Sequence, residues 1–151
     1  MTALIIEDSR LARVELKNLL KKHPEIELLG EAVNAEEGQQ MIERLAPDLV
    51  FLDIQMPGRN AFELLEALDQ IPMVIFTTAF DEYALKSFEF NALDYLLKPI
   101  GAERLALAIG KALEKNTWQS PKKNILTEES QVFVKNGDRC WIVKLEKVRL
   151  L

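Results

Sequence analysis

The stretch Leu49-Val50-Phe51-Leu52-Asp53-Ile54-Gln55-Met56-Pro57-Gly58 decides how the rest of the chain is read. Four apolar residues run into Asp53, and Met56-Pro57-Gly58 supplies a turn. A short unbroken apolar run closed by Pro and Gly is the pattern of a strand buried on both faces of a parallel sheet. Such a strand delivers Asp53 at its carboxyl end, where open α/β sheets hold their sites.

Four further runs resemble it. Residues 3–6 are apolar and end in Glu7-Asp8; residues 26–33 form a second run. Residues 73–78 follow Pro72, and residues 93–97 end at Lys98-Pro99. Helical patterns lie between them. Ser9 is a cap for a helix carrying Leu11, Val14, Leu19 and Leu20 on one side, closed by His23-Pro24. Asn34 with Glu37 three residues on approaches a capping box and opens a helix to about Leu45. Asn60 and Glu63 repeat that start, with Phe62, Leu64, Leu65 and Leu68 as the apolar face. A fourth helix is expected over 81–88. A last one, over 102–115, carries Leu105, Ile109 and Leu113. Five strand–helix repeats predict an α/β fold, a doubly wound five-stranded parallel sheet with helices on both faces.

After this unit the pattern changes. Asn116 to Lys123, NTWQSPKK, carries linker composition. Residues 131–135 and 140–145 are strand-like, and Asn136-Gly137 between them is a hairpin signal. The text stops at Arg149-Leu150-Leu151 without a cap. The expectation is a domain over 1–117, a linker over 118–124, and a β-hairpin fragment over 125–151 of a second domain cut short. Charge divides in the same way. Of the formal net charge of −5, residues 121–151 contribute +3 from 7 basic and 4 acidic residues, leaving −8 on residues 1–120. That acidic front excludes a nucleic-acid surface spread over the whole molecule.

The 151 residues are 48% apolar and 28% charged, as in ordinary globular domains. Cys140 is the single cysteine, so no internal disulfide can form, which fits a reducing compartment. The opening MTALIIEDSR turns acidic too early for a signal peptide, and no apolar run approaches the roughly 20 residues of a membrane span. The expectation is a cytoplasmic protein without membrane association. His23 sits at a helix end and Cys140 in a strand pattern; neither is assigned chemistry.

In a parallel sheet all the strand ends meet on one edge. Glu7 and Asp8, Asp53, Thr77 and Thr78, and Lys98 each follow an apolar run immediately. Any one of them alone has a bland reading: a lone Asp after a strand is usually a turn former, Glu7-Asp8 suits a helix start, β-branched threonines suit strands, and a lysine before proline is usually solvated. The coincidence on one edge carries the functional reading. Three crowded carboxylates repel, so at least one pKa should rise. A hard divalent cation relieves that repulsion, and oxygen-only ligands suit Mg²⁺. Asp8, Asp53 and a backbone carbonyl near Gln55 are the expected ligands, with Glu7 acting mostly through water. An aspartate oxygen beside such a cation can attack a phosphoryl group and form an acyl phosphate. Lys98 and a threonine hydroxyl would neutralise and bond the transferred oxygens.

Two rival readings fit these residues less well. Haloacid-dehalogenase phosphohydrolases place a second acid two residues after the nucleophile; here that position is Gln55. A pure flavodoxin-like binding module gives no reason for Glu7, Asp8, Asp53 and Lys98 to share an edge.

These residues resemble the receiver domains of two-component response regulators. The match covers about residues 2–115. It rests on Glu7-Asp8, the DxxMPG stretch from Asp53 to Gly58, the Thr78-Ala79 step, and Tyr95 three before Lys98-Pro99. The resemblance implies a flavodoxin-like strand order 2-1-3-4-5 and a phosphorelay in which a sensor histidine kinase phosphorylates Asp53. It implies Glu7 and Asp8 as Mg²⁺ ligands beside Asp53 and the Gln55 carbonyl, Lys98 and Thr78 as phosphate partners, and Thr78 and Tyr95 as switch residues. It further implies a Lys98-Pro99 bond that is often cis and a homodimer through the helix 4–strand 5–helix 5 face. It implies no enzyme acting on outside substrates. Adjacent strand residues face opposite ways, so Thr77 and Thr78 compete for the switch role; position after Pro72 favours the first and the Thr-Ala step the second. TAFDEYALKSFE and NALDYLLKP resemble the LytTR branch, and QVFVKNGDRCWIVKLEKVRLL resembles the opening of a LytTR DNA-binding domain. DNA binding would then need the full-length C-terminal domain. Phe88 and Phe90 are candidates for coupling the switch, although aromatics there are more often core.

Overall fold

The computed structural model describes residues 1–80 and 89–125, with side chains through residue 116. Five strands form one parallel sheet: β1 (Thr2–Ile6), β2 (Glu27–Ala32), β3 (Leu49–Asp53), β4 (Met73–Thr78) and β5 (Asp94–Leu97). Their order is β2-β1-β3-β4-β5. Every pairing is parallel. The doubly wound reading and its implied order hold.

The physical reason lies in the strands' composition. All five residues of β3 are buried. Successive side chains of a strand point to opposite faces, and here each set finds its own core. Leu4, Ile6, Val50, Leu52, Val74 and Phe76 pack on one face with Ile42, Phe62, Leu64 and Leu65. Ala3, Ile5, Leu49, Phe51 and Ile75 pack on the other with Leu16, Leu20, Leu105 and Ile109.

Helices α1 (Arg10–Leu20), α2 (Ala35–Leu45) and α3 (Ala61–Glu66) start where the caps predict. Ser9 accepts from the Ala12 N–H, and Asn34 from Glu37. At α3 the capping box is complete, with Asn60 and Glu63 bonded reciprocally. Each such cap stabilises its helix by about 1 kcal/mol. Gly58 takes φ +82°, a left-handed conformation that lets the chain turn from β3 toward α3.

Two readings are corrected. On α1 Leu20 and Leu19 face the core as expected, joined by Leu16, whereas Leu11 is 68% exposed and Val14 40% exposed. The apolar positions of α1 are too numerous for one stripe, and contact with Ile5 and Phe51 selects the later ones. The last helix runs Ala102–Ile125, past the expected end near residue 115, and takes in residues 118–124. Strong helix formers at 112–115 lead into that stretch and outweigh its Ser-Pro turn signal. The chain divides into two compact units, Met1–Leu113 and Glu114–Leu151. The second is described only as this helical continuation. The helix expected over 81–88, with Phe88, and the hairpin fragment, with Cys140, lie outside the described residues. No helix among the described residues is long and apolar enough to cross a membrane.

Candidate functional site

The sheet order reverses between β1 and β3, and the carboxyl ends of these two strands flank the crevice where such sheets place ligands. Register sets the neighbours: Ile6 stands beside Leu52, Asp53 beside Thr77, and Thr78 beside Leu97. Glu7 and Lys98, each one residue past a strand, therefore arrive on the edge that holds Asp53.

Carboxylate oxygens of Glu7, Asp8 and Asp53 lie within 4.8 Å of one another. Glu7 and Asp53 are buried and Asp8 is exposed. Lys98 is the positive charge among them, with Nζ 2.6 Å from Glu7 Oε1 and 3.4 Å from Asp53 Oδ1. The main chain anchors this lysine through its N–H, which donates to the Thr78 carbonyl at 2.7 Å. The Lys98-Pro99 bond is cis, as the resemblance implied.

Electrostatics follows from crowding. Burial and the neighbouring Glu7 charge push the Asp53 carboxyl up to about 7, with Lys98 pulling it partly back. One raised carboxyl pKa is what the spacing of three acids predicted. Burial draws Lys98 down, but its hydrogen bond to Glu7 and the charges of Asp53 and Glu7 outweigh this and hold the ammonium above its usual range. Three oxygen donors with one ammonium to balance them fit a hard divalent cation, whose charge would relieve the remaining repulsion.

The two threonines part company. Thr77 stands two residues after Ile75, on the same face of β4, and lines a cavity with Ile5, Leu16, Phe51, Glu7 and Lys98 on the α1 side of the sheet. Thr78 stands two residues after Phe76, on the opposite face, and its Oγ1 accepts from the Phe80 N–H at 3.1 Å. The hydroxyl of Tyr95 donates to the Phe80 carbonyl. Thr78 and Tyr95 thus meet at one residue, on the face where Tyr95 packs against the Phe62 cluster. Phe90 stacks on Phe62 with ring centroids 5.2 Å apart, a core contact. Gln55 is exposed in the loop after Ile54, next to the acidic cluster in sequence.

Three features escaped the sequence reading. Arg13 donates from Nη1 to the Glu7 carbonyl at 2.8 Å. Phe80 joins the two switch candidates through its main chain, which no side-chain pattern reveals. Asp94 accepts from Arg104 through both oxygens, at 2.5 and 2.9 Å, and from Lys111 at 3.2 Å, tying β5 to the last helix. Arg104 is exposed beside the buried Leu105, an ordinary surface arginine by pattern, so its partner could be sought only once β5 was placed.

Comparison with known proteins agrees with this geometry. The model of the response regulator receiver domain matches residues 3–110. An uncharacterized response regulatory protein of Vibrio cholerae is 51% identical over 77% of this chain and 50% of its own length. The transcriptional regulatory protein BtsR of Escherichia coli K12 is 42% identical over 86% of this chain and 54% of its own length. The chain thus spans about half the length of these curated relatives. Among solved structures, the response regulatory domain of mrkE from Klebsiella pneumoniae aligns with a TM-score of 0.72 at 30% identity, over 79% of this chain and all of that one. The receiver domain of AraT, a response regulator of Geobacillus stearothermophilus, aligns with a TM-score of 0.71 at 27% identity, over 78% of this chain and 95% of that one. The chain belongs to the response regulator receiver domain family.

Proposed function

We propose that this chain is the phosphoaccepting half of a cytoplasmic two-component transcription regulator, with Asp53 as the acceptor. The observation that carries the reading is the convergence of Glu7, Asp8, Asp53 and Lys98 at one sheet edge, with the three carboxylates within 4.8 Å of one another and the lysine bridging two of them. A sensor histidine kinase supplies the phosphoryl group. An Asp53 oxygen attacks phosphorus, the phosphorus–nitrogen bond of the donor histidine breaks, and the imidazole leaves with the bonding pair. Glu7, Asp8, Asp53 and the Gln55 carbonyl would hold Mg²⁺, which would neutralise carboxylate charge and so ease the approach of an anionic group. Lys98 trades its contact with Glu7 for the new phosphoryl oxygens. Thr78 turns its hydroxyl from Phe80 toward the same oxygens.

That exchange is a local electrostatic event with a two-state consequence. Losing the Thr78 acceptor frees the Phe80 segment, which also holds the Tyr95 hydroxyl. The face built on β5 and the last helix is reshaped, and two copies pair through it. The remaining half of the protein, read as LytTR-type from residues 131–151, then engages DNA as a pair. The domain turns over no outside substrate; its chemistry is acceptance and slow loss of one group.

Borohydride reduction tests the assignment. It converts an aspartyl phosphate to homoserine, and peptide sequencing after phosphorylation should find homoserine at position 53. Its absence there after phosphorylation places the group elsewhere. Normal signalling by an Asp53→Asn protein would favour the second reading, a receiver-like interaction module that works without phosphorylation.

A further inference from the structure

Glu7 is held at every polar group. Its N–H donates to the Ala32 carbonyl at 3.0 Å. One carboxylate oxygen accepts from Lys98 at 2.6 Å and the other from the Ser9 N–H at 3.1 Å. Its carbonyl accepts from Arg13 Nη1 at 2.8 Å. The last bond differs in kind, because it clamps the peptide that joins Glu7 to Asp8. A peptide plane is rigid, so whatever fixes the Glu7 carbonyl also fixes where the Asp8 main chain starts. Asp8 itself is exposed, and its carboxylate has no hydrogen-bond partner among the described residues.

Arg13 is in turn aimed from behind. Its Nε donates to Glu31 Oε1 at 3.1 Å, and Lys17 Nζ donates to the other oxygen of Glu31 at 2.7 Å. The Arg13 side chain is 15% exposed, so its planar fork works largely away from water. Glu31 stands beside Ile5 across the β1–β2 pairing. The line Lys17–Glu31–Arg13–Glu7 therefore runs from α1 through the edge strand to the turn that carries the acidic pair.

We propose that Arg13 is a positioning residue for the cation site: through the Glu7 carbonyl it holds the Glu7-Asp8 turn in the orientation that lets Asp8 join Asp53 in binding a divalent cation. The inference rests on the receiver reading of that site. Residues one step behind metal ligands typically change metal affinity about 10- to 100-fold when removed, because the ligand keeps its chemistry but loses its place. Among the described residues Arg13 bonds no carboxylate oxygen of Glu7, Asp8 or Asp53, so its contact with the site is through the Glu7 carbonyl.

The test is calorimetric titration with Mg²⁺ alone, without any phosphoryl donor. Wild type, Arg13→Ala, Arg13→Lys and Glu31→Gln are compared, and each metal-free protein is melted in parallel. Arg13→Ala should bind Mg²⁺ about 10-fold more weakly or worse. Arg13→Lys should recover part of the loss, since an ammonium can still donate to a carbonyl. Glu31→Gln should fall between wild type and Arg13→Ala, and it carries the test together with Arg13→Lys if the alanine protein does not fold. A role confined to stability would lower all the melting temperatures and leave the Mg²⁺ affinity of the folded protein unchanged. That result overturns the proposal. Wild type that binds no Mg²⁺ overturns the receiver site itself, a separate outcome.

Discussion

Lys98 is paired with Glu7: its Nζ lies 2.6 Å from Glu7 Oε1. Asp53 is the more distant partner at 3.4 Å. The lysine that would meet an incoming phosphoryl group is thus parked on a neighbouring acid, and it offsets two buried carboxylates at once. Lys98→Met removes that charge and nearly preserves the stem. The Asp53 carboxyl should rise further above about 7, because Lys98 is what pulls it down. At neutral pH the variant should lose about 2 kcal/mol, the scale of a hydrogen bond to a charged group that is left unmade. A carboxyl carbon NMR titration and a denaturant melt read the two effects.

The raised Asp53 carboxyl makes a pH prediction with a definite sign. Its usual value is 3.8 and burial with Glu7 takes it to about 7. A carboxyl raised in the folded state costs stability as pH climbs past the unfolded value, and the cost is complete above the folded value. Metal-free Asp53→Asn should therefore be more stable than wild type at about pH 8 and lose that advantage near pH 4. Added Mg²⁺ should raise the wild-type melting temperature more at pH 8 than at pH 6, since protons compete for the same oxygen below about 7. Calorimetric melts at these pH values, with and without Mg²⁺, check both statements.

Asp94 gives the opposite sign. Burial raises its carboxyl, but the hydrogen bonds from Arg104, the Tyr95 N–H and Lys111 outweigh this and hold it below its usual value of 3.8. A depressed carboxyl contributes stability above the unfolded value and loses it as pH falls through the folded one. Asp94→Asn should cost about 1 kcal/mol at neutral pH, discounted because Arg104 and Lys111 are partly solvated. The difference from wild type should close below about pH 4. Urea unfolding at a series of pH values measures it.

Thr78, Phe80 and Tyr95 form one hydrogen-bonded line. Thr78→Val should still accept a phosphoryl group on Asp53 yet fail to transmit it. In the NMR spectrum of wild type the Phe80 amide should shift on phosphorylation, as it loses the Thr78 acceptor. In Thr78→Val it should stay where it is in the absence of phosphate. A Thr77→Val protein should behave as wild type in this respect, because Thr77 lies on the α1 face. A phosphorylation shift lost in Thr77→Val would transfer the switch role to Thr77.

The sheet was legible because its signals are local. Unbroken apolar runs such as 49–52 leave a strand no exposed face, and Asn34, Asn60 and Ser9 mark helix starts by their own side-chain bonds. The strand-end acids and Lys98 were legible because parallel topology carries every strand end to one edge. The inward stripe of α1 was not, since Leu11, Val14, Leu16 and Leu20 are alike in hydrophobicity and only the neighbours Ile5 and Phe51 choose among them. The length of the last helix was misread from a Ser-Pro pair, a signal that propensity on either side can override. Arg13 and Phe80 could not be seen at all. Phe80 acts through its own main chain and Arg13 through the Glu7 carbonyl, and every residue carries such groups, so composition holds no trace of either role.

The most direct measurement is the intact mass of the protein after incubation with acetyl phosphate, with Mg²⁺ and with a chelator, beside Asp53→Asn. The account predicts a gain of one phosphoryl group in wild type with Mg²⁺, and none with the chelator or in the variant. A gain of equal size in Asp53→Asn, or none in wild type under any condition, contradicts it.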